Sequence, residues 1–256
     1  MLIKKDNSPR AQLGGQGLAC GQVVRVNACH FTIGAARWAY ADLLISQISA
    51  HWRAAQAANP GYFNGPIQVL VQHAIADGTL SGVFATTDFA SFLYWRSQRH
   101  KDDDTVRDCF GCAVLRSAEG HMLLAVQAPG HLNSGRAYCP GGFIDTADIT
   151  AAGTIDIDGS VARELAEETG LAAAELARCP GYILTAADAS IAVGIEYRST
   201  LPAEQLRAEI LHHLAREATP ELADIVIVRN GQDLAGLATA NYVPALVAAI
   251  LPRQQD

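Results

Sequence analysis

Apolar residues recur along the chain in blocks whose period changes from two to about three and a half. From Gln22 to Ile33, the residues Val24, Val26, Ala28 and Phe31 stand among polar neighbours, as on a half-buried strand. From Ala35 to Ala58, Trp38, Leu43, Leu44, Ile48 and Trp52 keep helical spacing, and Asn59-Pro60-Gly61 stops the helix. Two β-rich runs follow, Gly65 to Ala76 and Leu80 to Thr87, joined by the hairpin dipeptide Asp77-Gly78. Asp88 then stands where it can cap a short helix running to Gln98. The most charged stretch, Arg99-His100-Lys101-Asp102-Asp103-Asp104, marks the expected boundary between a front half, 1–104, and a back half, 105–256.

In the back half, 107–116 and 121–127 read as paired strands. A helix runs from about Ser160, whose hydroxyl can cap it, to Thr169, and Gly170 sits at its C-cap. Strands are expected at 181–185, 191–199 and 224–228, and helices at 202–217 and 242–251. Strands alternating with helices predict an α/β or α+β fold: a mixed sheet between helices, preceded by a smaller α/β domain.

Composition narrows the function. Half of the residues are hydrophobic and the formal net charge is −7, with no basic tract, so nucleic acid and anionic membranes are excluded as expected partners. A polyanion can still bind an acidic protein through metal cations. Asp6-Asn7-Ser8-Pro9-Arg10 follow Lys4 and Lys5 where a signal peptide needs an apolar core, so the cytoplasm, with six reduced cysteines, is the expected location. Nothing in the sequence fixes an oligomeric state.

The chemistry concentrates in Arg163-Glu164-Leu165-Ala166-Glu167-Glu168-Thr169-Gly170-Leu171. On a helix, Glu164, Glu167 and Glu168 share one face and repel one another. Such a face is either solvated or offset by a hard cation with oxygen ligands. Pro140-Gly141-Gly142 lies upstream. Together, Gly142 and this run resemble the box of the Nudix hydrolases, which cleave the diphosphate linkage of nucleoside diphosphate derivatives.

The resemblance covers the helix closely and the loop before it poorly. Twenty residues separate Gly142 from Arg163, a longer interval than in the family, and Ile155 stands where the family has a Glu. Asp156 or Asp158 either replaces that Glu as a partner of Arg163 or lies in a polar loop. The resemblance implies an α/β/α sandwich and a cofactor, Mg²⁺ or alternatively Mn²⁺. It also implies that Glu164, Glu167, Glu168 and the Gly141 carbonyl are metal ligands and that Arg163 orients the carboxylates. It allows a further Glu outside the box as base or ligand, and Glu196 is the candidate, the alternative being an exposed strand carboxylate.

Asn59-Pro60-Gly61-Tyr62-Phe63-Asn64-Gly65 and Thr87-Asp88-Phe89 in the front half, with the extended box, resemble the Nudix subgroup that hydrolyses UDP-sugars. That likeness implies a small-molecule nucleotide substrate, split to UMP and a sugar 1-phosphate. It makes Phe63, Asn64 and Asp88 candidates for the nucleotide end of the pocket, and Arg136 a candidate phosphate contact. Core packing is the competing role for Phe63 and plain surface exposure for Arg136. ADP-ribose or dinucleotide hydrolysis is a rival activity, and a non-catalytic nucleotide-binding module a rival of another class, favoured by Ile155. Cys109-Phe110-Gly111-Cys112 reads as core rather than as a zinc knuckle, since no second pair follows. His212-His213, adjacent on a helix, point apart, and Gly14-Gly15-Gln16-Gly17 lacks the strand–loop–helix setting of a phosphate cradle.

Overall fold

The computed structural model describes residues 15–35, 38–98 and 106–252. Lys4, Lys5, Gly14 and the charged stretch 99–104 lie outside the described residues. The described residues pack as two units, one built from 15–18, 28–109 and 143–156 and the other from 19–27, 110–142 and 157–252. Both are mixed α+β. Residues 19–27 and 143–156 therefore pack with the half of the chain in which they do not stand in sequence, so a cut at 104/105 encloses neither unit whole.

In the first unit, β2 (Ala28–Ile33), β3 (Pro66–Ala76) and β4 (Thr79–Asp88) form a three-stranded sheet in the order β2-β4-β3; β2 runs parallel to β4, and β3 antiparallel to it. The Asp77-Gly78 turn joins Ala76 to its partner Thr79 with both φ angles positive, 48° and 71°. This is the backbone twist that a two-residue hairpin needs. Phe31, Leu70, Leu80 and Phe84 are fully buried on this sheet. Around it lie α1 (Ala39–Leu43), α2 (Ile45–Ala58) and α3 (Phe89–Ser97). The single helix expected over 35–58 breaks at Leu44, where φ is −116° and ψ 23°. The break turns Leu43 and Ile45 to solvent, 62% and 65% exposed, so the apolar stripe read from the sequence is not continuous.

The strand expected over 22–33 also breaks, at Asn27. Its first part, β1 (Val23–Val26), belongs to the second unit. There the eight-stranded sheet runs β1-β9-β10-β5-β6-β11, from β9 (Tyr182–Ala187), β10 (Ser190–Arg198), β5 (Asp108–Arg116), β6 (Met122–Gln127) and β11 (Leu222–Val228). Two short strands with little apolar patterning, β7 (Ala137–Tyr138) beside β6 and β8 (Ala177–Arg178) beside β10, complete it. One core joins the sheet to α4 (Ile157–Thr169), α5 (Ala203–Leu214) and α6 (Val243–Ile250). Cys109 and Cys112 are buried in β5, as the sequence reading had them.

Helix α4 starts three residues before the expected Ser160. Ile157, Val161 and Leu165, four apart, form its buried stripe, which places Ser160 inside the helix and out of solvent rather than at the cap. Gly111 makes room for that stripe: a Cβ there would meet Val161 Cγ2 at 2.5 Å and Ile157 Cδ1 at 3.0 Å. No helix among the described residues is long and apolar enough to cross a membrane.

Candidate active site

The buried stripe of α4 rotates two carboxylates toward the Pro140–Gly142 loop. Glu168 is 4% exposed, the Glu164 side chain mostly buried and that of Glu167 exposed. The loop is fixed from several sides. Ala113 N donates to Pro140 O at 2.7 Å, and Cys139 N to the Tyr242 hydroxyl at 3.0 Å. Gly141 N donates to Glu168 Oε2 at 2.8 Å, while the Tyr138 hydroxyl donates to Oε1 of the same carboxylate. Gly142 passes so close to Glu164 that a Cβ would lie 2.6 Å from its carboxylate carbon, so any larger residue there would push that carboxylate aside.

These surroundings disfavour negative charge. Burial, together with the neighbouring Glu221 and Glu164, pushes Glu168 up to about 8, although the Tyr138 hydroxyl and Gly141 N pull the other way. Burial likewise pushes Glu164 up to about 7 against the attraction of Arg163. Burial and the Glu168 charge hold the Tyr138 hydroxyl protonated, as a donor.

Arg163 pairs with two of the helix carboxylates: Nη1 lies 2.8 Å from Glu164 Oε1 and 3.2 Å from Glu167 Oε2. Asp158 does not serve Arg163. It is held by Arg178, whose Nε donates at 2.8 Å, and by the Tyr182 hydroxyl. Asp156 stands directly before α4, its N–H donating to Asp148 O at 2.9 Å.

Glu196 is neither an exposed strand carboxylate nor a partner of the box. It is 5% exposed; Arg198 Nη2 lies 2.8 Å from Oε1, Arg116 Nη1 3.7 Å from the same oxygen, and Arg25 Nη2 3.9 Å from Oε2. Arg116 ends β5, whereas the box loop packs on Gly111 and Cys112 near its start. Three guanidinium groups thus occupy the carboxylate given the role of base or ligand.

Arg136 is exposed and donates to Thr239 O at 3.0 Å. Phe63 is 80% exposed, which overturns core packing as its role. Asn64 Oδ1 accepts from Ala90 N at 2.7 Å and Asp88 Oδ1 from Ser91 N at 2.8 Å, so both side chains cap the start of α3. His213 closes the far end of α4: its ring lies over Gly170, and its Nε2 pairs with Glu217 at 3.1 Å.

The site also holds residues that the sequence did not announce. Gln127 Nε2 donates to Glu221 Oε1 at 3.1 Å, and His131 Nδ1 lies 3.5 Å from the same oxygen. Glu221 is the carboxylate whose charge reaches both Glu164 and Glu168. Pro220-Glu221 before a strand carries no pattern that sets it apart, and Tyr138 was recognisable only by its nearness to the Pro-Gly-Gly loop.

The donor set suits a hard divalent cation: carboxylates partly stripped of water, crowded enough to retain protons, beside a loop of backbone carbonyls. As the side chains stand, no three Asp, Glu, His or Cys groups among the described residues converge on one point. Arg163 holds Glu164 and Glu167, while Tyr138 and Gly141 N hold Glu168.

No protein-family model matches the chain, and no curated protein matches it. Among solved structures it is similar to DR0079 of Deinococcus radiodurans, with 17% identity over 57% of this chain and 84% of that one, at a TM-score of 0.39. It is similar to the MutT protein of Methanosarcina mazei Go1, with 17% identity over 56% and 92%, at a TM-score of 0.38. A Nudix hydrolase of M. smegmatis, RenU, gives 16% identity over 58% and 88%, at 0.34.

Proposed function

We propose that this chain is a Nudix hydrolase, which uses a divalent cation to hydrolyse the diphosphate linkage of a nucleoside diphosphate derivative, with UDP-sugars as the preferred class. One observation carries the reading. The glycine loop lies on the box carboxylates, Gly142 against Glu164 and Gly141 N on Glu168, although twenty residues separate Gly142 from Arg163.

Glu164, Glu167, Glu168 and the Gly141 carbonyl would hold Mg²⁺ or Mn²⁺. When bound, the cation neutralises phosphate charge and lowers the pKa of water. The chain's own residues prepare that step. The Tyr138 hydroxyl and Gly141 N fix the Glu168 carboxylate from two sides, and Arg163 gathers Glu164 and Glu167. Glu221, oriented by Gln127 Nε2, takes the role of outer carboxylate first given to Glu196 and accepts a proton from the attacking water at Oε1 or Oε2. Water adds to one phosphorus, the bridging P–O bond breaks, and a UDP-sugar yields UMP and a sugar 1-phosphate.

Support for uridine lies in the front half. Phe63 presents an exposed ring in the loop after the Trp52–Tyr62 stack, and a base can stack on such a ring. The test is release of phosphatase-sensitive monophosphates from UDP-glucose, GDP-sugars, ADP-ribose and dinucleotides. UDP-sugars are expected to have the highest kcat/KM. Equal values for UDP-glucose and ADP-ribose would remove the uridine preference and leave the hydrolase. Saturable binding without release from any substrate would make the chain a non-catalytic module.

A further inference from the structure

The longer interval between Gly142 and α4 is not slack loop. Its residues 143–156 pack in the first unit, while Gly142 before them and Ile157 after them pack in the second. The segment is pinned along its length. Phe143 lies against Phe92 and Phe89, with ring centroids 5.0 and 6.0 Å apart. Ile144 is buried, and its carbonyl accepts from Gln68 N on β3 at 2.9 Å. On β2, Ile33 N donates to Gly153 O at 3.0 Å, and Phe31 O accepts from Ile155 N at 3.1 Å. Ile155, where the family's box has its Glu, is buried in this apolar setting, which no carboxylate would tolerate unpaired.

The segment is also clipped shut. The buried Asp148 accepts from Asp145 N on Oδ2 at 3.0 Å, and its carbonyl accepts from Asp156 N at 2.9 Å. One residue thereby ties together the chain just after Gly142 and the chain just before α4. We infer that residues 143–156 are a positioning strap. Asp148 closes it and Ile144 and Ile155 anchor it, so that it sets the spacing between the Gly141–Gly142 backbone and the carboxylates of α4, in place of the box Glu that the chain lacks. The catalytic consequence rests on the hydrolase reading; the mechanical one does not.

The experiment compares Asp148→Ala, Ile155→Ala and the milder Ile155→Val with Leu80→Ala. Leu80→Ala opens a core cavity in the same sheet, at a position that pairs with Cys29 and Ile75 rather than with Phe31, Ile33 or Gln68, which bond the strap. Hydrogen exchange of the Gly141 amide, protected by Glu168, reports the spacing directly. Exchange is expected to rise about tenfold in Asp148→Ala and Ile155→Ala, and less in Ile155→Val, relative to Leu80→Ala. On the hydrolase reading, kcat falls by about tenfold in the same two variants with KM nearly unchanged, the pattern of lost transition-state alignment. Gly141 exchange no faster in the strap variants than in Leu80→Ala overturns the strap. Faster exchange in a protein that splits no nucleoside diphosphate derivative upholds the strap and removes the hydrolase.

Discussion

A carboxyl group taken out of water and set beside others holds its proton more tightly, and both conditions act on Glu168 and Glu164. Their pKa values rise on folding, from an ordinary 4.5 to about 8 and about 7, so the folded state binds protons that the unfolded state has released. The metal-free protein is therefore most stable below pH 4.5 as far as these two groups are concerned, and loses that contribution as pH rises through about 7 and 8. Thermal unfolding of metal-free protein should show this decline. Glu168→Gln, neutral at every pH, should flatten it, and Mg²⁺ should raise Tm more at pH 8 than at pH 5. A metal-free Tm that climbs steadily from pH 5 to pH 8 would contradict the account. Two other glutamates separate by the same logic. Glu196→Gln leaves Arg116, Arg198 and Arg25 without their shared carboxylate. That should cost roughly 2 kcal/mol of stability, discounted for the exposure of two of the arginines, and leave kcat nearly unchanged. Glu221→Gln should do the reverse, lowering kcat about a hundredfold with little change in Tm. Denaturant melts and steady-state rates on both variants decide the assignment.

At the scale of the element, α4 and its loop are a single device. The apolar stripe Ile157-Val161-Leu165 fixes the helix's rotation, and the rotation fixes which glutamates turn inward. Gly142→Ala places a methyl group where the Glu164 carboxylate lies, at 2.6 Å. The expected outcome is a folded protein with kcat reduced at least about tenfold, and wild-type rates in Gly142→Ala would show that the loop stands elsewhere during turnover. Periodicity made α4 and most strands legible, because an amphipathic pattern is a direct record of which face is buried. The start of α4 was not legible. Ser160 looks like a cap by residue type, but Ile157 is already committed to the core. Nor was the fate of Ile155, since nothing local says that a loop residue will pair with a strand more than a hundred positions earlier. Asn64 illustrates the opposite limit: its polarity reads as ligand recognition, and the backbone of α3 uses it, whereas Asp88 caps α3 as its place before the helix indicated. Glu221 was silent because a fourth carboxylate is defined only by where the fold carries it.

For the whole molecule, the sequence order of the halves is not the packing order. Residues 19–27 supply β1 to the second unit's sheet, and 143–156 join the first. Truncating the front half at residue 104 would therefore remove β1 and the pairing surface of the strap along with any recognition groups. Selectivity is better probed by Phe63→Ala, whose exposed ring contributes nothing to the core. Loss of base stacking, worth about 1–3 kcal/mol, should raise KM for UDP-glucose about fivefold or more with kcat and Tm unchanged, and an unaltered KM would remove Phe63 from the nucleotide site. The central claim is the metal-dependent chemistry of the box carboxylates, and one measurement addresses it most directly: UMP release from UDP-glucose by wild type and Glu168→Gln, each with and without Mg²⁺. The account predicts release by wild type with Mg²⁺ alone, and a loss of about a thousandfold or more in a folded Glu168→Gln. Release that persists without metal, or in Glu168→Gln, would contradict it.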